Sequence, residues 1–230
     1  MQISLLADFP VRLDRDSLLQ EAHLEPDSAE AVEFDALLAR ARDVARPKVL
    51  YGEAFIAGRS DAGVVVEHVE FRSRVMSANL RDVERLFPYI MTCGHELDEL
   101  ELDAGDFLQE FWLDIIKAQA LWQSVKEFDR ILRQGYRLEK TAAMSPGSGE
   151  ATVWPIEQQR ELFSLFGDVR SRVGVDLTDS FLMIPNKSIS GIRFATTRDY
   201  QNCQLCRREN CPSRRAPFDA DKWHELHGMV

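Results

Sequence analysis

A long stretch of apolar residues at helical spacing constrains the fold more than any other feature of this 230-residue chain. Between residues 103 and 135, apolar side chains recur every three or four positions, which places them on one face of a helix. A helix of roughly 30 residues is about 45 Å long, so this face needs a broad partner surface. We therefore expect one long central helix that ends near Gly135, with Trp112 and Trp122 packed in the core. The residues of this apolar face are Leu108, Phe111, Ile115, Ala118, Trp122 and Val125.

Segments rich in β-branched and aromatic residues are candidates for that partner surface. Residues 48–57 and 63–71 flank the turn sequence GRSDAG and predict a β-hairpin. Residues 177–185 and 188–194 predict a second hairpin in the same way, and the sequence YIMTCG, which ends at Gly94, predicts a buried strand. The predicted fold class is α+β, a single domain in which an antiparallel sheet of hairpins packs with helices, one of them long and central.

Three shorter helices are predicted from their start signals. Asp27 and Glu30 form a capping-box pair ahead of an apolar helical face that begins at Phe34. Ser77 can cap a short helix, because its hydroxyl can accept a hydrogen bond from the first turn. Pro155 suits the first position of a further helix, where its missing N–H costs nothing.

The charge balance excludes several classes of partner. The chain has 38 acidic and 28 basic residues, a formal net charge of −10, so it lacks the basic surface that nucleic acids and anionic membranes require. No apolar run approaches the ~20 residues that span a bilayer, and the first residues do not follow the pattern of a signal peptide. We expect a cytoplasmic protein that binds neither nucleic acid nor membrane. Walker, GxGxxG, HExxH and GxSxG sequences are absent, which leaves its status as an enzyme open.

The composition changes after the last predicted strand. From residue 196 the chain is polar and basic and contains most of its cysteines. We therefore predict a domain over residues 1–195 and a cysteine-containing tail over residues 196–230 that wraps the surface or folds around an ion.

The tail cysteines have spacing that suits a metal ion. Cys203, Cys206 and Cys211 lie within nine residues, and Pro212 follows the last of them. Two thiolates in a CxxC pair can chelate one ion, and Cys93, at a predicted strand end, is the candidate fourth ligand. The pattern fits zinc or an iron–sulfur cluster without separating them, and a set of reduced thiols is the alternative.

A glycine-rich loop is the candidate small-molecule site. It consists of Ser145, Pro146, Gly147, Ser148 and Gly149. Glycines let a backbone approach a ligand closely and turn N–H donors toward carboxylates or phosphates. The alternative is a plain connection between two elements, since most loops of this composition bind nothing.

Two longer sequence blocks resemble a known family. The first, SPGSGEATVWPIEQQRELFSLF, covers residues 145–166, and the second, VDLTDSFLMIPNKSISGIRF, covers residues 175–194. Together they resemble the reactivation domain of cobalamin-dependent methionine synthase, in its stand-alone form, with a Pro-Gly loop before a helix and a Ser-x-Ser-Gly strand after it. A weaker similarity extends the match to roughly residues 13–195.

The resemblance implies a function and its cofactors. It implies binding of S-adenosylmethionine by the loop of residues 145–149 together with Arg193 and Phe194 on the last strand. It also implies a partner that carries cobalamin and a one-electron donor such as flavodoxin or ferredoxin. The chain would then be a corrinoid-protein reactivation factor that acts in trans and supports reductive methylation of cob(II)alamin in a methionine synthase or related methyltransferase, where the protein supplies positioning.

The chain departs from the family pattern at the positions expected to contact the ligand. Ala143 replaces an arginine of the family loop, Ser148 replaces a tyrosine, and Arg193 stands where a tyrosine is expected. Arg193 could supply the missing cation for the ligand carboxylate from the opposite side. The alternative function is an iron–sulfur or zinc protein that acts as a redox partner or adaptor and docks on a corrinoid protein without adenosylmethionine chemistry.

Overall fold

The computed structural model describes residues 1–7, 9–150, 152–198, 200–211 and 214–227, without the side chains of residues 226 and 227. Its elements confirm the predicted α+β class. The strands are β1 (Gln2–Leu6), β2 (Lys48–Ser60), β3 (Gly63–Val66), β4 (Val69–Arg72), β5 (Arg85–Thr92), β6 (Thr141–Met144), β7 (Asp176–Leu177), β8 (Met183–Ile184) and β9 (Ser188–Ala195). The α-helices are α1 (Arg15–Glu21), α2 (Ala29–Val44), α3 (Arg74–Asn79), α4 (Phe107–Tyr136), α5 (Gln159–Ser164), α6 (Val169–Val173) and α7 (Ala220–His227).

Antiparallel pairing joins most of these strands into one sheet. Within the described residues its order is β4-β3-β2-β5-β9-β6. Strand β2 is long enough to take two neighbours on one side, with β1 along its first half and β3 along its second. Strands β5 and β9 lie at the centre of the sheet, and β6 forms the edge beside β9.

Helix α4 confirms the predicted long helix. Asp106 caps it by accepting hydrogen bonds from the backbone N–H groups of Leu108 and Gln109. It ends at Arg137, whose φ of 56° is left-handed. Ser124 donates a hydrogen bond to the Thr92 carbonyl at 3.1 Å, which fastens the helix to the end of β5. Among the described residues, no helix has the length and apolar character needed to cross a lipid bilayer.

The sheet separates two apolar cores, because alternate side chains of each strand point to opposite faces. On one face, Val49 of β2 and Met91 of β5 pack with α1, α2 and α4. On the other face, Leu50 and Ile90 pack with α3, α5 and α6. A residue's position along a strand therefore decides which core it joins.

Two helix starts differ from the predicted ones. Helix α2 is capped by Ser28, whose hydroxyl accepts a hydrogen bond from Ala31 N–H, so the prediction of Asp27 was wrong by one residue. Helix α3 is capped by Ser73, and Ser77 lies inside it. Ser73 has the extended backbone that a cap residue needs, whereas Ser77 donates its hydroxyl to the Ser60 carbonyl.

The predicted hairpins are confirmed in part. Strands β2 and β3 pair as expected, but the second predicted strand is interrupted at Glu67, where φ is 56° and the chain turns into β4. The prediction of a second hairpin over residues 177–194 was wrong. Strand β7 pairs with β8, and β9 lies in the main sheet between β5 and β6. A strand buried on both faces between two neighbours buries more apolar surface than an isolated hairpin, which is marginal in water.

Candidate functional site

A cavity of about 640 Å³ opens beside the β6–β9 edge, on the α4 face of the sheet. Its volume is in the range of small-molecule sites, roughly 300–1,000 Å³. Strands β6 and β9 form its floor, and Trp122 and Val125 of α4 form one wall. The glycine-rich loop forms another wall, and the rest of the described lining includes the tail residues Arg198, Tyr200, Gln201, Asn202, Cys203 and Arg215. The predicted loop and the predicted tail thus meet at one cavity.

Some residues of the glycine-rich loop line the cavity, and others give the loop its shape. Ser145, Pro146 and Ser148 line the cavity, and Gly147 and Gly149 do not. Gly147 has a φ of 71° and donates its N–H to the Trp154 carbonyl, so it makes the turn that presents its neighbours. Any other residue at position 147 would place its Cβ 2.7 Å from Ile156 Cδ1.

A second glycine lets β9 approach the loop. A Cβ on Gly191 would lie 2.3 Å from the Met144 carbonyl oxygen and 2.7 Å from Ser145 Oγ, so only glycine fits. Gly191 pairs with Tyr89 across the sheet, and the Tyr89 hydroxyl shares a 3.4 Å hydrogen bond with Ser145 Oγ. This contact joins the start of the loop to the centre of the sheet.

Arg193 lies directly opposite Ala143 in the β6–β9 pairing. Its guanidinium is only 16% exposed, with Nη2 2.9 Å from the Asp129 carboxylate of α4 and Nη1 3.5 Å from Thr141 Oγ1. Directly opposite side chains project to the same face of a sheet. The small methyl group of Ala143 therefore leaves room in which the Arg193 side chain reaches the cavity.

The predicted contribution of Phe194 is corrected by the structure. Phe194 is buried in the core on the opposite face of the sheet, and the described cavity lining does not include it. The physical reason is the two-residue period of a strand, since adjacent residues such as Arg193 and Phe194 cannot face the same side.

Residues from the tail complete the cavity. Leu205 and Tyr200 are buried in the core with residues of the main sheet. Arg215 extends its guanidinium over the ring of Trp122, 4.9 Å from its centroid, and so connects the tail to α4 across the cavity. Trp122 was predicted as a core residue, but it is 43% exposed. Helical spacing gave no signal for this site, because the partner of Trp122 comes from 93 residues further along the chain.

The electrostatic character of the cavity is basic. The described residues that line it include Lys140, Arg193, Arg198 and Arg215 and no Asp or Glu. Burial raises the pKa of Tyr200, so its phenol carries no negative charge at neutral pH. A basic cavity in a chain of net charge −10 suits a ligand with anionic groups.

Several lining residues carry a buried polar atom that has no hydrogen-bond partner among the described residues. These atoms are Gln159 Nε2, Ser190 Oγ, Arg193 Nε and Asn202 Oδ1. Buried polar groups of folded proteins are nearly always satisfied, and an exception indicates a missing water, ion or ligand. Their concentration at one cavity supports its assignment as a binding site.

The four cysteines are not assembled into the predicted metal site. In the described part of the chain, no three His, Cys, Asp or Glu side chains are placed to hold a metal ion. Cys93 is fully buried in the core under α4, and burial raises the pKa of its thiol to about 12, with the Asp98 carboxylate adding to the effect. Pro212 lies outside the described residues.

The tail cysteines are instead organised around an arginine. The Arg214 guanidinium donates hydrogen bonds to the carbonyl groups of Cys203 and Cys206, and the Arg214 N–H donates to the Cys211 carbonyl. Cys203 also lines the cavity, where its sulfur accepts a 3.5 Å hydrogen bond from Arg215 N–H. These contacts hold the tail in the conformation that forms the cavity wall.

Two comparisons with known proteins found a similarity, one in sequence and one in fold. The sequence model of the family described as "Vitamin B12 dependent methionine synthase, activation domain" matches residues 117–215. A crystal structure of the MetH reactivation domain bound to AdoHcy is similar in fold, with a TM-score of 0.59 and 15% sequence identity. The similarity covers 100% of this chain and 87% of that one. No curated protein matches the sequence.

Proposed function

We propose that this chain is a member of the activation-domain family of vitamin B12-dependent methionine synthase and returns the corrinoid cofactor of a partner methyltransferase to its active, methylated state. The proposal includes action in trans on a methionine synthase or a related enzyme. It also includes the cavity beside β6 and β9 as the small-molecule site of this process.

The observation that carries the proposal is that the family match and the cavity coincide. Every described lining residue except Tyr89 falls within residues 117–215, the part of the chain that the family model matches. The similar fold was crystallised with AdoHcy, the molecule that S-adenosylmethionine becomes after it has given up its methyl group. This supports an adenosyl compound as the ligand of the cavity.

The chemistry requires one electron and one methyl group. Reduction of cob(II)alamin by a donor of the flavodoxin or ferredoxin class gives cob(I)alamin, which takes the methyl group of S-adenosylmethionine and leaves S-adenosylhomocysteine. No proton transfer by the protein is needed, so the role of the residues is to hold the donor in position. The absence of familiar catalytic motifs is consistent with such a positioning role.

Arg193 is proposed to contact the polar end of the ligand. Its position opposite Ala143 supports the expectation that it supplies a cation from the neighbouring strand where the family has an arginine on the loop. Because Nη2 is already paired with Asp129, the Nε group is the donor left without a protein partner among the described residues.

A second candidate function is docking on a corrinoid protein without adenosylmethionine chemistry. The basic lining of the cavity favours it, since S-adenosylmethionine carries a net positive charge and no described lining residue is acidic. In this case the chain would hold the partner in the conformation in which another donor restores the cofactor.

The two candidates are separated by one reconstitution. A methionine synthase that lacks its own activation domain is prepared with cob(II)alamin and mixed with this chain and reduced flavodoxin, with and without S-adenosylmethionine. Formation of methylcobalamin, followed by its absorbance, is expected only when this chain and S-adenosylmethionine are both present. Binding of the chain to the partner without methyl transfer would identify the docking function. Absence of both binding and methyl transfer would overturn both candidates.

A further inference from the structure

The cavity beside β6 and β9 is lined from both faces of the sheet. Tyr89 belongs to the core on the α4 side, and Ile189 packs against that core. Ala142 and Tyr200 belong to the core on the opposite side, where α5 packs, and Met183 packs against it. The cavity therefore spans the edge of the sheet, and its two ends present different residues to a ligand.

The end of β6 makes this passage possible. The pairing of β6 with β9 stops at Met144 and Ile192, so β9 continues beyond its neighbour through residues 188–191. The glycine-rich loop begins directly after Met144 and leaves the line of β6 at this point. The edge of β9 is thus bordered by a loop instead of a strand where the cavity crosses it.

Ser190 and Arg193 face opposite sides of the sheet. The Arg193 side chain reaches Asp129 of α4. Ser190 shares its face with Ile192 and Phe194, which are buried in the core on the α5 side, because alternate residues of a strand project to the same face. Ser190 lines the cavity, is only 3% exposed, and its Oγ has no hydrogen-bond partner among the described residues.

Gln159 supplies a second polar group on the α5 side. It is the first residue of α5, whose Leu162 and Phe163 are buried in the same core. Gln159 lines the cavity, is only 2% exposed, and its Nε2 has no acceptor among the described residues. A buried donor without an acceptor costs free energy, which a ligand acceptor would recover.

The neighbouring glutamine has a different role. Gln158 accepts a hydrogen bond from the Arg72 N–H on Oε1 and donates Nε2 to the Arg72 carbonyl, each at 2.7 Å. Both ends of its amide are therefore used to fasten the start of α5 to β4. Gln158 is a structural residue, and its pairing fixes the turn of helix from which Gln159 extends.

We infer that the ligand lies across the edge of β9, with its adenine base on the α5 side and its amino-acid end on the α4 side. Gln159 Nε2 donates a hydrogen bond to a ring nitrogen of the base, and Ser190 Oγ makes a second hydrogen bond to it. Arg193 binds the carboxylate at the other end. The inference rests on the proposed function, since it takes an adenosyl compound as the ligand, and it adds the residues that select the base.

The chemistry of the two ends decides this direction. A guanidinium forms its strongest hydrogen bonds with a carboxylate, which places the amino-acid end at Arg193. A neutral amide suits the ring nitrogens of adenine, as in the pairing of glutamine with this base in nucleic acids. Met183 and Tyr200 add apolar and aromatic surface on the α5 side, which suits a flat base.

The first experiment uses two ligands that differ only at the amino-acid end. S-adenosylhomocysteine has both ends, whereas 5′-methylthioadenosine keeps the nucleoside and lacks the amino acid. In isothermal titration calorimetry, Gln159→Met should weaken binding of both ligands by the same factor, about fivefold to tenfold. Arg193→Gln should weaken S-adenosylhomocysteine about tenfold and leave 5′-methylthioadenosine unchanged. A loss in Gln159→Met for S-adenosylhomocysteine alone would show that the direction is wrong.

Gln158→Met is the matched control, and thermal melting separates the two roles. Gln159→Met should melt at or above the wild-type temperature, because an apolar side chain of similar length replaces a buried donor without an acceptor. Gln158→Met should melt about 2–4 °C lower and keep wild-type affinity for both ligands. A lower melting temperature with unchanged affinity in Gln159→Met would show that Gln159 is structural and would refute the inference.

A third titration identifies the contact with the base. Three deaza analogues of 5′-methylthioadenosine each replace one ring nitrogen of adenine that can accept a hydrogen bond. For one of them, wild type and Gln159→Met should bind equally, because the acceptor of the Gln159 donor is gone. An undiminished difference for all three would mean that Gln159 does not bind the base.

These outcomes are distinct from failure of the proposed function. If wild type binds S-adenosylhomocysteine and Gln159→Met binds it equally well, the inference fails while an adenosyl ligand is retained. If wild type binds neither ligand, the inference and the methyl-transfer function fail together.

Discussion

Two tryptophans of helix α4 show how differently two regions of this molecule use the same residue type. Trp112 is fully buried and packs edge-on against Phe34 of α2, with ring centroids 5.7 Å apart. Trp122, ten residues later, is 43% exposed and lies beside a cavity with Arg215 over its ring. The first region is a closed core, and the second borders a cavity whose described lining includes Lys140, Arg193, Arg198 and Arg215. The difference teaches that one helix can place the same residue type in the core at one position and beside a cavity at another, while Phe128 and Leu132 continue the core beyond Trp122.

The largest effect is expected from truncating the core tryptophan. Trp112→Ala should lower the free energy of unfolding by about 3–5 kcal/mol, since it removes a buried aromatic ring and leaves a cavity. Trp122→Ala should cost below about 1 kcal/mol in stability and should instead weaken binding of S-adenosylhomocysteine, the ligand proposed for the cavity. Urea denaturation and calorimetry measure the two effects. Similar losses of stability in both variants would contradict the division between core and cavity.

A smaller loss of stability is expected from a substitution at Gly191, where β9 lies close to the glycine-rich loop. Gly191→Ala should destabilise the protein by about 1–3 kcal/mol and abolish binding of S-adenosylhomocysteine, because its Cβ would collide with the Met144 carbonyl and move the loop. Gly135→Ala is the matched control, since a Cβ there meets nothing within 4 Å and alanine favours a helix by up to about 1 kcal/mol. Denaturation curves that rank the two substitutions in the opposite order would count against the geometry of the cavity floor.

The buried thiol of Cys93 should make the protein less stable as the pH rises above 9. The folded pKa of Cys93 is raised to about 12 by burial, so its thiol stays protonated in the folded state while it ionises in the unfolded state near its ordinary value of 9.0. The contribution is fully present below pH 9 and is lost as pH rises toward about 12. The free energy of unfolding of wild type relative to Cys93→Ala should fall by up to about 1.4 kcal/mol per pH unit above pH 9. A constant difference from pH 8 to 10.5 would show that Cys93 is accessible, unlike the rest of its core.

The smallest change in stability is expected from Asp129→Asn. This substitution removes the carboxylate that pairs with Arg193, and because Asp129 is 38% exposed the cost should stay below about 1 kcal/mol. Affinity for S-adenosylhomocysteine should increase severalfold, since Arg193 no longer shares its charge with Asp129 and can bind the ligand carboxylate. Asp114→Asn, which breaks the α4 ion pair with Lys187, is the control and should leave this affinity unchanged. Weaker binding of S-adenosylhomocysteine in Asp129→Asn would mean that the carboxylate itself contributes to the site.

The predictable parts of the fold are those that depend on local periodicity. Helix α4 and the β2–β3 hairpin follow from patterns within single segments. The helix was found at nearly the expected bounds, and the hairpin formed with its second strand ending at Val66. The position of β9 between β5 and β6 depends on partners about 50 and 100 residues away, which no local pattern reveals. For the same reason a hairpin around residue 186 was predicted where none forms.

The candidate site was predictable to a similar extent. Ser145, Pro146, Ser148 and Arg193 were identified from the sequence blocks, and the structure places all of them at the cavity. Phe194 was assigned to the wrong side, because the strand boundaries did not fix which residues face the cavity. The metal site was inferred from cysteine spacing, which does not show that Cys93 is enclosed in a core.

The sequence by itself determined the α+β class, the long helix and the similarity to the activation-domain family, because these depend on periodicity and on contiguous blocks of residues. Only the tertiary structure decided that the tail forms a wall of the cavity and that arginines from β9 and the tail meet there. The physical reason is that a cavity is lined by residues that are distant in the sequence, and Trp122 and Arg215 come into contact only after the chain has folded.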